Sequence, residues 1–425
     1  SLRISFGRTI GTMLILMLLR NYRCFLEGTK ASAVQGTAII PPSEATDEYP
    51  NEGVTTLASE HFEASVNPFS RQKRQIDRRS TRWVGNKVFY YFDPSVEEEA
   101  REIVKRALSY IAARTCIDFH EDPTAINRIR VNKGRICFSF VGMQGGEQDL
   151  FLNRACSTVG SVVHEIMHAL GIWHMQMRDD RDRYIRVNLS SVPKGKEINY
   201  GYFDKSRVIN YTPYDYGSVM HYDAKSFAKS GISLIPLQKR FLQTIGSKIP
   251  SFYDILMINA HCKCNARCAA SQTAICFNDG MPNPRDCSVC LCPTGYGGAY
   301  CNRRPAGCGE TLRASPLWRT ETISFERTPT HTDRIGYMMC TYWIKAPPRR
   351  KIQIQVTKVP TTLCEYGCTK NAIEPKTLKD KRATNPRICC QEQLYEILTS
   401  KLNPAPIFSY SMNTTSTFTF QYKYI

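Results

Sequence analysis

One short stretch decides the fold, and it reads His164-Glu165-Ile166-Met167-His168-Ala169-Leu170-Gly171-Ile172-Trp173-His174. On a helix, His164 and His168 lie one turn apart on the same face, so their imidazoles can bind a single Zn²⁺. The carboxylate of Glu165, the next residue, can reach a water on that metal. Gly171 allows a positive φ where the helix ends, and a sharp turn there brings back His174 as a third ligand. Three neutral imidazoles leave one position open for water, which is typical of a catalytic zinc site.

The alternative to a zinc site is a chance match, because H-E-x-x-H alone is a short pattern. The extension to Gly171 and His174 is the metzincin form of the motif and makes chance remote. After three further residues, Arg178-Asp179-Asp180-Arg181-Asp182 resembles the continuation of this motif in the astacin family of zinc peptidases. The Met-turn of that family resembles Tyr216-Gly217-Ser218-Val219-Met220-His221-Tyr222, and residues 243–246 and 251–254 extend the resemblance over about residues 83–262.

The resemblance implies an α+β metzincin catalytic domain over residues 75–262, with a zinc-binding helix, a Met-turn and one zinc ion. The zinc ligands that it implies are His164, His168, His174 and the phenolate of Tyr222. Met220 would pack beneath the metal, although its residue type alone would indicate ordinary core. In the implied peptide-bond hydrolysis, Glu165 is the general base on the zinc-bound water, and Tyr222 hydrogen-bonds the developing oxyanion.

Local patterns around this motif predict a mixture of helix and strand. Residues 88–92, 129–131 and 136–141 are rich in β-branched or aromatic residues and predict strands. Residues 97–113 predict an amphipathic helix with acidic residues first and basic residues later. Gly145-Gly146 followed by Glu147 to Leu152 resembles the edge strand on which the family's peptide substrates pair, although a surface hairpin would have the same sequence.

The eighteen cysteines indicate an oxidising compartment or several metal sites. The astacin pattern, which pairs the first cysteine with the last and the middle two with each other, matches Cys116, Cys137, Cys156 and Cys262. Cys264 stands two residues from Cys262, so either of them could close the domain. Cys24 lies in the signal or pro-segment, which leaves an odd thiol in the mature chain or a partner not identified from sequence.

Two further modules are expected after the catalytic domain. Residues 264–301 resemble a small disulfide-rich EGF-like module, with clustered cysteines at Cys268, Cys276, Cys287, Cys290, Cys292 and Cys301. A zinc ribbon is the alternative reading of such a cluster. Residues 308–425 resemble an all-β CUB sandwich, and the cysteines assigned to its disulfides are Cys308, Cys340, Cys364, Cys368, Cys389 and Cys390.

The N-terminal sequence is typical of a secreted precursor. In residues 1–33, two arginines precede an apolar run at 13–19 that is too short to span a bilayer, which predicts a secretory signal peptide. Residues 34–74 are polar without periodicity and predict a pro-segment that is cleaved after Arg74, at the end of Arg71-Gln72-Lys73-Arg74. Chance occurrence of that basic site is the alternative. Sequons predict glycosylation at Asn188, Asn210 and Asn413, as expected for a secreted, extracellular protein. Each sequon alone is weak evidence.

The chain is strongly basic, with a formal net charge of +18. Residues 302–425 hold 19 basic and 9 acidic residues, which gives +10 for that region. The excess favours anionic partners such as sulfated polysaccharide, and a solvated basic surface is the alternative. The expected substrates are extracellular proteins, possible examples being matrix or cuticle proteins, and we expect neither nucleic-acid binding nor a membrane span.

Two positions depart from the astacin pattern. Thr29, within Phe25-Leu26-Glu27-Gly28-Thr29, stands where the pro-segment of the family places an aspartate that caps the zinc. Met175 stands where the family has a glutamate that receives the new α-amino group, so we predict that this salt bridge is absent. The rival functions are a non-catalytic matrix protein that keeps the fold and a zinc exopeptidase. The complete set of site residues argues against the first, and nothing indicates the pocket for a chain terminus that the second requires.

Overall fold

The computed structural model describes residues 37–39, 76–77, 80–154, 158–204, 206, 208–268, 273–326, 335–361, 364–412 and 415–425. They form an α/β unit up to residue 267, a hairpin unit over residues 268–301 and a sandwich unit over residues 308–425. Within these parts of the chain, no helix is long and apolar enough to cross a membrane. The predictions for Cys24, Thr29, Arg74, Cys156 and Asn413 concern residues outside the described ones.

The α/β unit contains one large sheet, three helices and several short strands. Its elements are β1 (Thr37–Ile39), β2 (Ile76–Asp77), β3 (Lys87–Phe92), α1 (Glu98–Ala112), β4 (Asp118–Glu121), β5 (Arg128–Lys133), β6 (Phe138–Phe140), β7 (Glu147–Leu152), α2 (Val159–Ala169), β8 (Ile185–Val187), β9 (Val208–Ile209), β10 (Leu234–Pro236) and α3 (Phe252–His261). The large sheet has the order β1-β6-β7-β5-β3-β4. Strands β3, β4, β5 and β7 run parallel, and β6 runs antiparallel to β7.

The predicted helix and the first predicted strands lie where the sequence placed them. Helix α1 buries one stripe of apolar residues, including Val104, Leu108 and Ile111, against the rest of the unit. Glu98 and Glu99 occupy its first turn, where negative charge is favourable toward the helix dipole. Together with the mostly parallel sheet, this helix gives the α+β architecture that we expected.

The expected edge strand is wrong. Strand β7 lies between β5 and β6 and is therefore an inner strand. On this side of the sheet β6 follows β7, and β1 is the outermost strand. The reason is a reversal of the chain between β6 and β7, where Gly142, Gly145 and Gly146 all adopt positive φ. Strand β1 pairs antiparallel with β6, with Thr37 opposite Phe140.

A second short sheet forms just downstream of the predicted cleavage site. Strand β2 pairs antiparallel with β9, so that Ile76 lies opposite Ile209 and Asp77 opposite Val208. The backbone of residues 76–77 is therefore held against the α/β unit.

The disulfide that closes the α/β unit joins Cys116 to Cys264, with Cα atoms 5.0 Å apart. Cys262 is a free, buried thiol, so its assignment to a disulfide is wrong. Cys262 caps the C-terminus of α3, and Lys263 then takes a left-handed conformation with φ 57°. This turn directs the side chain of Cys264 toward Cys116. Cys137 is also disulfide-bonded.

The hairpin unit is held together by covalent links rather than by a core. It contains β11 (Met281–Asn283) and β12 (Asp286–Leu291), which pair antiparallel. Its disulfides are Cys268–Cys287, Cys276–Cys290 and Cys292–Cys301. The zinc-ribbon alternative is therefore wrong, because all six sulfurs are in disulfides. The unit contacts both neighbours: Arg285 donates to Asp118 at 2.6 Å, and the Trp343 indole donates to the Gly295 carbonyl at 2.7 Å.

The sandwich unit consists of two four-stranded sheets around an apolar core. The strands are β13 (Thr311–Arg313), β14 (Arg319–Phe325), β15 (Met338–Lys345), β16 (Ile352–Lys358), β17 (Asn371–Pro375), β18 (Ile397–Ser400), β19 (Ala405–Ser411) and β20 (Ser416–Tyr424). One sheet has the order β13-β15-β19-β17 and the other β14-β20-β16-β18. Its disulfides are Cys308–Cys340, Cys364–Cys390 and Cys368–Cys389.

Candidate metal centre

Helix α2 carries the first two histidines and is buried along its whole length. Thr158 caps its N-terminus, since the hydroxyl oxygen accepts a hydrogen bond from the backbone N–H of Ser161 at 3.1 Å. Gly160 lets the helix approach Lys248, because a Cβ at this position would lie 1.7 Å from the Lys248 carbonyl oxygen. The helix is apolar on several sides, which allows it to lie in the core while His164 and His168 face one point.

The chain leaves this helix at Gly171, which adopts the predicted positive φ, at 100°. This turn brings the side chain of His174 next to those of His164 and His168. The Nε2 atom of His168 lies 3.0 Å from that of His164 and 3.2 Å from that of His174, and the third distance is 3.2 Å. The structure therefore brings the three predicted histidine ligands into one triangle.

The protonation of the rings shows what this triangle can bind. Backbone carbonyls face Nδ1 of His164 and of His168, at 2.6 Å from Val219 and 2.7 Å from Ile172. A carbonyl can only accept a hydrogen bond, so both Nδ1 atoms carry the proton and both Nε2 atoms offer lone pairs. Burial lowers the pKa of His164 to about 3 and the pKa values of the other two histidines well below the ordinary value, which keeps the rings neutral.

These features fit a zinc ion. Lone pairs that converge at about 3 Å repel one another unless a cation lies between them. Zinc–nitrogen bonds of about 2.0–2.1 Å in tetrahedral geometry place ligand nitrogens about 3.3 Å apart, close to the observed triangle. The backbone hydrogen bonds on Nδ1 also orient the rings, as is usual for histidines that bind metals.

Glu165 is fully buried beside this triangle. Neither carboxylate oxygen has a hydrogen-bond partner among the residues that the structure describes. Burial raises the pKa of Glu165 well above its ordinary value, against a smaller opposing effect of Lys248. A buried carboxyl of this kind becomes ionised when positive charge is placed nearby, and the three histidines are where a metal would supply that charge.

Tyr222 and Met220 also reach the centre through the Met-turn. The ring of Tyr222 lies 4.4 Å from that of His174, centroid to centroid. Burial raises the pKa of its phenol well above the ordinary value. Met220 is fully buried in the apolar core that also contains α2. The structure thus places Tyr222 against His174, and Met220 in the core that contains α2.

Three positioning contacts were missed from sequence. Gln176 accepts the backbone N–H of Tyr222 through its side-chain oxygen at 3.1 Å. Asp254 accepts a hydrogen bond from the Ser218 hydroxyl and another from the Val219 N–H, the latter at 3.0 Å. The S-x-x-D spacing from Ser251 to Asp254, which forms a capping box on α3, was the available signal. No local pattern pointed to Gln176.

The charged residues that follow His174 have a structural role. Arg178 donates to both oxygens of Asp180, at 2.8 and 2.9 Å, in a buried pair. Arg181 donates to the carbonyl of Gln176 at 3.1 Å.

The two sequons that the structure describes have amide nitrogens in hydrogen bonds, from Asn188 to Ser191 at 2.7 Å and from Asn210 to Asp179 at 2.9 Å.

Comparison with known proteins agrees with this geometry. The family model for astacin, a peptidase family, matches residues 75–263. Among curated proteins of Caenorhabditis elegans, zinc metalloproteinase nas-32 is 38% identical over 88% of this chain and 57% of its own length. Zinc metalloproteinase nas-31 is 35% identical over 88% of this chain and 62% of its own length. Zinc metalloproteinase nas-25 is 37% identical over 84% of this chain and 91% of its own length. The chain thus spans less than two thirds of the length of the first two of these relatives.

Proposed function

Because this chain belongs to the astacin family of zinc metallopeptidases, we propose that it is a zinc-dependent endopeptidase that hydrolyses peptide bonds in extracellular proteins. The observation that supports this most directly is the triangle of three neutral imidazole nitrogens beside the buried carboxyl of Glu165. One zinc ion per α/β unit would be held by His164, His168 and His174, with Tyr222 as a further ligand.

The proposed reaction assigns proton transfer to Glu165 and a hydrogen bond to the developing charge to Tyr222. Zinc, when bound, would polarise the scissile carbonyl and acidify the water that attacks it. Glu165 accepts the proton of that water and passes it to the leaving amine. Tyr222 keeps its phenolic proton, as its raised pKa favours, and would donate it in a hydrogen bond to the carbonyl oxygen as negative charge develops there. Met220 and the hydrogen bonds to Nδ1 keep the histidine rings in place during the reaction.

Peptide binding by backbone pairing is proposed for strand β6 instead of β7. An extended peptide can add to an exposed sheet edge through main-chain hydrogen bonds. In the structure β1 pairs with β6. Residues 37–39 precede Arg74, so cleavage after Arg74 would release them from the mature chain. This supports residues 34–74 as a pro-segment that covers the β6 edge of the sheet before activation.

We also propose that the protein is secreted and that its hairpin and sandwich units are an EGF-like and a CUB module. The disulfides of both units support an oxidising compartment. Residues 1–33 would then be the signal peptide, and Asn188, Asn210 and Asn413 would be glycosylation sites. The charge of +10 over residues 302–425 supports retention on sulfated polysaccharide, and matrix or cuticle proteins are the proposed substrates.

A peptide library tests the proposed activity. Full-length protein processed after Arg74 is incubated with the library, with a zinc chelator, and with chelator followed by excess Zn²⁺. We expect cleavage at internal bonds, loss with chelator and recovery with zinc. Removal of single residues from peptide ends would indicate an exopeptidase. Absence of cleavage by zinc-loaded protein would favour the non-catalytic alternative.

A further inference from the structure

The sandwich unit contacts the α/β unit at the start of the Met-turn. The segment between β17 and β18 inserts Thr384 against Asp215, the residue before the Met-turn. The backbone N–H of Thr384 donates to one carboxylate oxygen of Asp215 and its hydroxyl donates to the other, both at 3.1 Å. Asp215 and Thr384 are both buried, so this pair of hydrogen bonds is shielded from water.

The contact continues into the Met-turn. Gly217 lies so close to Thr384 that a Cβ at this position would come within 2.2 Å of the Thr384 methyl group. The N–H of Ser218 donates to the carbonyl of Asp215 at 3.3 Å. The next residue, Val219, supplies the carbonyl that accepts the hydrogen bond from Nδ1 of His164. A continuous path of short contacts therefore leads from the sandwich unit to a zinc ligand.

A second contact fixes the same two units from the side of residues 243–247. Arg387 is buried and donates to the hydroxyl of Ser247 at 2.5 Å and to the carboxylate of Glu374 at 3.2 Å. Its backbone N–H donates to the hydroxyl of Thr244 at 3.0 Å. Lys376 makes a further buried ion pair with Glu374 at 3.3 Å. The ion pairs with Glu374 lie within the sandwich unit and hold the Arg387 side chain in place, and the hydrogen bonds to Ser247 and Thr244 join the two units.

Apolar residues of the sandwich unit also pack against a buried cluster that lies next to the metal centre. Tyr366 and Leu378 pack against the cluster of buried residues that includes Tyr222 and Met175. Gly367 lies against the backbone of the α/β unit, where a Cβ would meet the carbonyl oxygen of Gly246 at 2.3 Å.

From these contacts we propose that the sandwich unit is a structural part of the zinc centre, with Thr384 and Asp215 as positioning residues for the Met-turn and thereby for His164. This inference rests on the proposed function only for the identity of the metal. A CUB-like module would usually be assigned to recognition alone. Here the sandwich unit also contacts the Met-turn, whose backbone orients His164.

The test is the zinc affinity of the metal-free full chain, measured by competition with a chromophoric chelator and without any peptide substrate. Thr384→Val keeps the shape of the side chain and removes the hydroxyl, and Asp215→Asn weakens the acceptor. Loss of partners behind a zinc ligand typically costs about 10- to 100-fold in affinity, and we expect about 3- to 10-fold for these more distant changes. Thr384→Ser, which restores the hydroxyl, should return the affinity to that of the parent.

The matched control is Glu396→Gln, which removes an exposed ion pair to Arg240 across the same two units. We expect this variant to bind zinc like the parent. A lower unfolding temperature with unchanged zinc affinity in Thr384→Val would show a merely structural contact and overturn the inference. Should Asp215→Asn fail to fold, Thr384→Val decides alone. Normal peptide cleavage together with an unchanged zinc affinity would refute the positioning role of the sandwich unit and leave the proposed peptidase activity intact. The expected fall in zinc affinity, in a protein that cleaves no peptide, would refute the peptidase activity and leave the positioning role intact.

Discussion

The backbone N–H of Met175 donates a hydrogen bond to the carbonyl of Met220 at 2.7 Å. This contact joins the residue after the third histidine to the centre of the Met-turn. It lies next to the hydrogen bond from the backbone N–H of Tyr222 to Gln176. The two segments that approach the metal from outside α2 are therefore fixed to each other by hydrogen bonds, and not only by the metal that they would share.

Replacement of the proposed general base tests the reaction. Glu165→Gln keeps the shape of the side chain and removes the proton acceptor. We expect zinc content equal to that of the parent and a fall in kcat of at least about 10²-fold. Metal analysis and peptide cleavage are measured on the same sample. Near-parental turnover in the zinc-loaded variant would remove Glu165 from the mechanism.

Unfolding of two cysteine variants distinguishes the disulfide-bonded Cys264 from the free Cys262 near the end of α3. Cys264→Ser breaks the disulfide to Cys116, which spans 148 residues, and should cost about 2–5 kcal/mol in free energy of unfolding. Cys262→Ala removes only a buried thiol and should cost about 1 kcal/mol. Urea unfolding without reductant measures both. Equal losses in the two variants would indicate that the disulfide exchanges between Cys262 and Cys264.

These two sites show how far sequence reasoning reaches. The histidine triangle could be predicted because helical periodicity and one glycine determine the relative positions of His164, His168 and His174. Cys262 and Cys264 could not be separated, because the choice depends on the left-handed turn at Lys263 rather than on spacing. The contact between Asp215 and Thr384 joins residues 169 positions apart and leaves no local pattern. The edge strand was misassigned because pairing order depends on the reversal after β6.

Acid should destabilise the sandwich unit, because its buried Glu374 pairs with Lys376 and Arg387. Burial raises the pKa of Glu374, but Lys376 and Arg387 outweigh burial, and the net pKa lies below the ordinary value of 4.5. A carboxyl with a lowered folded-state pKa stabilises the fold above its unfolded pKa, and this stability is lost as pH falls through the folded value. We expect the free energy of unfolding to fall below about pH 4.5, with a smaller slope in Glu374→Gln. An identical slope in the variant would assign the acid sensitivity to other groups.

Binding to sulfated polysaccharide should depend on the exposed basic residues of the sandwich unit. Arg349, Arg350 and Lys351 are consecutive and exposed. Changing all three to Gln should lower the salt concentration that elutes the protein from heparin, because screened charge attraction holds it there. The matched control changes three exposed lysines of the α/β unit, Lys194, Lys229 and Lys239. Equal shifts in the two variants would show that overall charge, and not the sandwich unit, determines retention.

The start of the mature chain should tolerate an added residue, because no ion pair of its α-amino group is expected. Met175 is fully buried beside the metal centre, and its thioether cannot form the ion pair that a glutamate would form with a free α-amino group. Cleavage after Arg74 exposes Gln75, which can cyclise to an uncharged pyroglutamate. The backbone pairing of Ile76 and Asp77 with β9 holds this end of the chain without using its α-amine.

We therefore expect unchanged peptide cleavage when one residue is added before Gln75, or when Gln75→Ala prevents cyclisation. Removal of residues 75–77 should lower activity, because it removes the strand that pairs with β9. Met175→Glu should destabilise the fold by about 2 kcal/mol or more, since it buries a carboxylate without a cation. A sharp activity optimum at one free α-amine, or stabilisation by Met175→Glu, would show that an amino-terminal salt bridge operates here after all, and that the α-amine reaches an acidic partner in the mature protein.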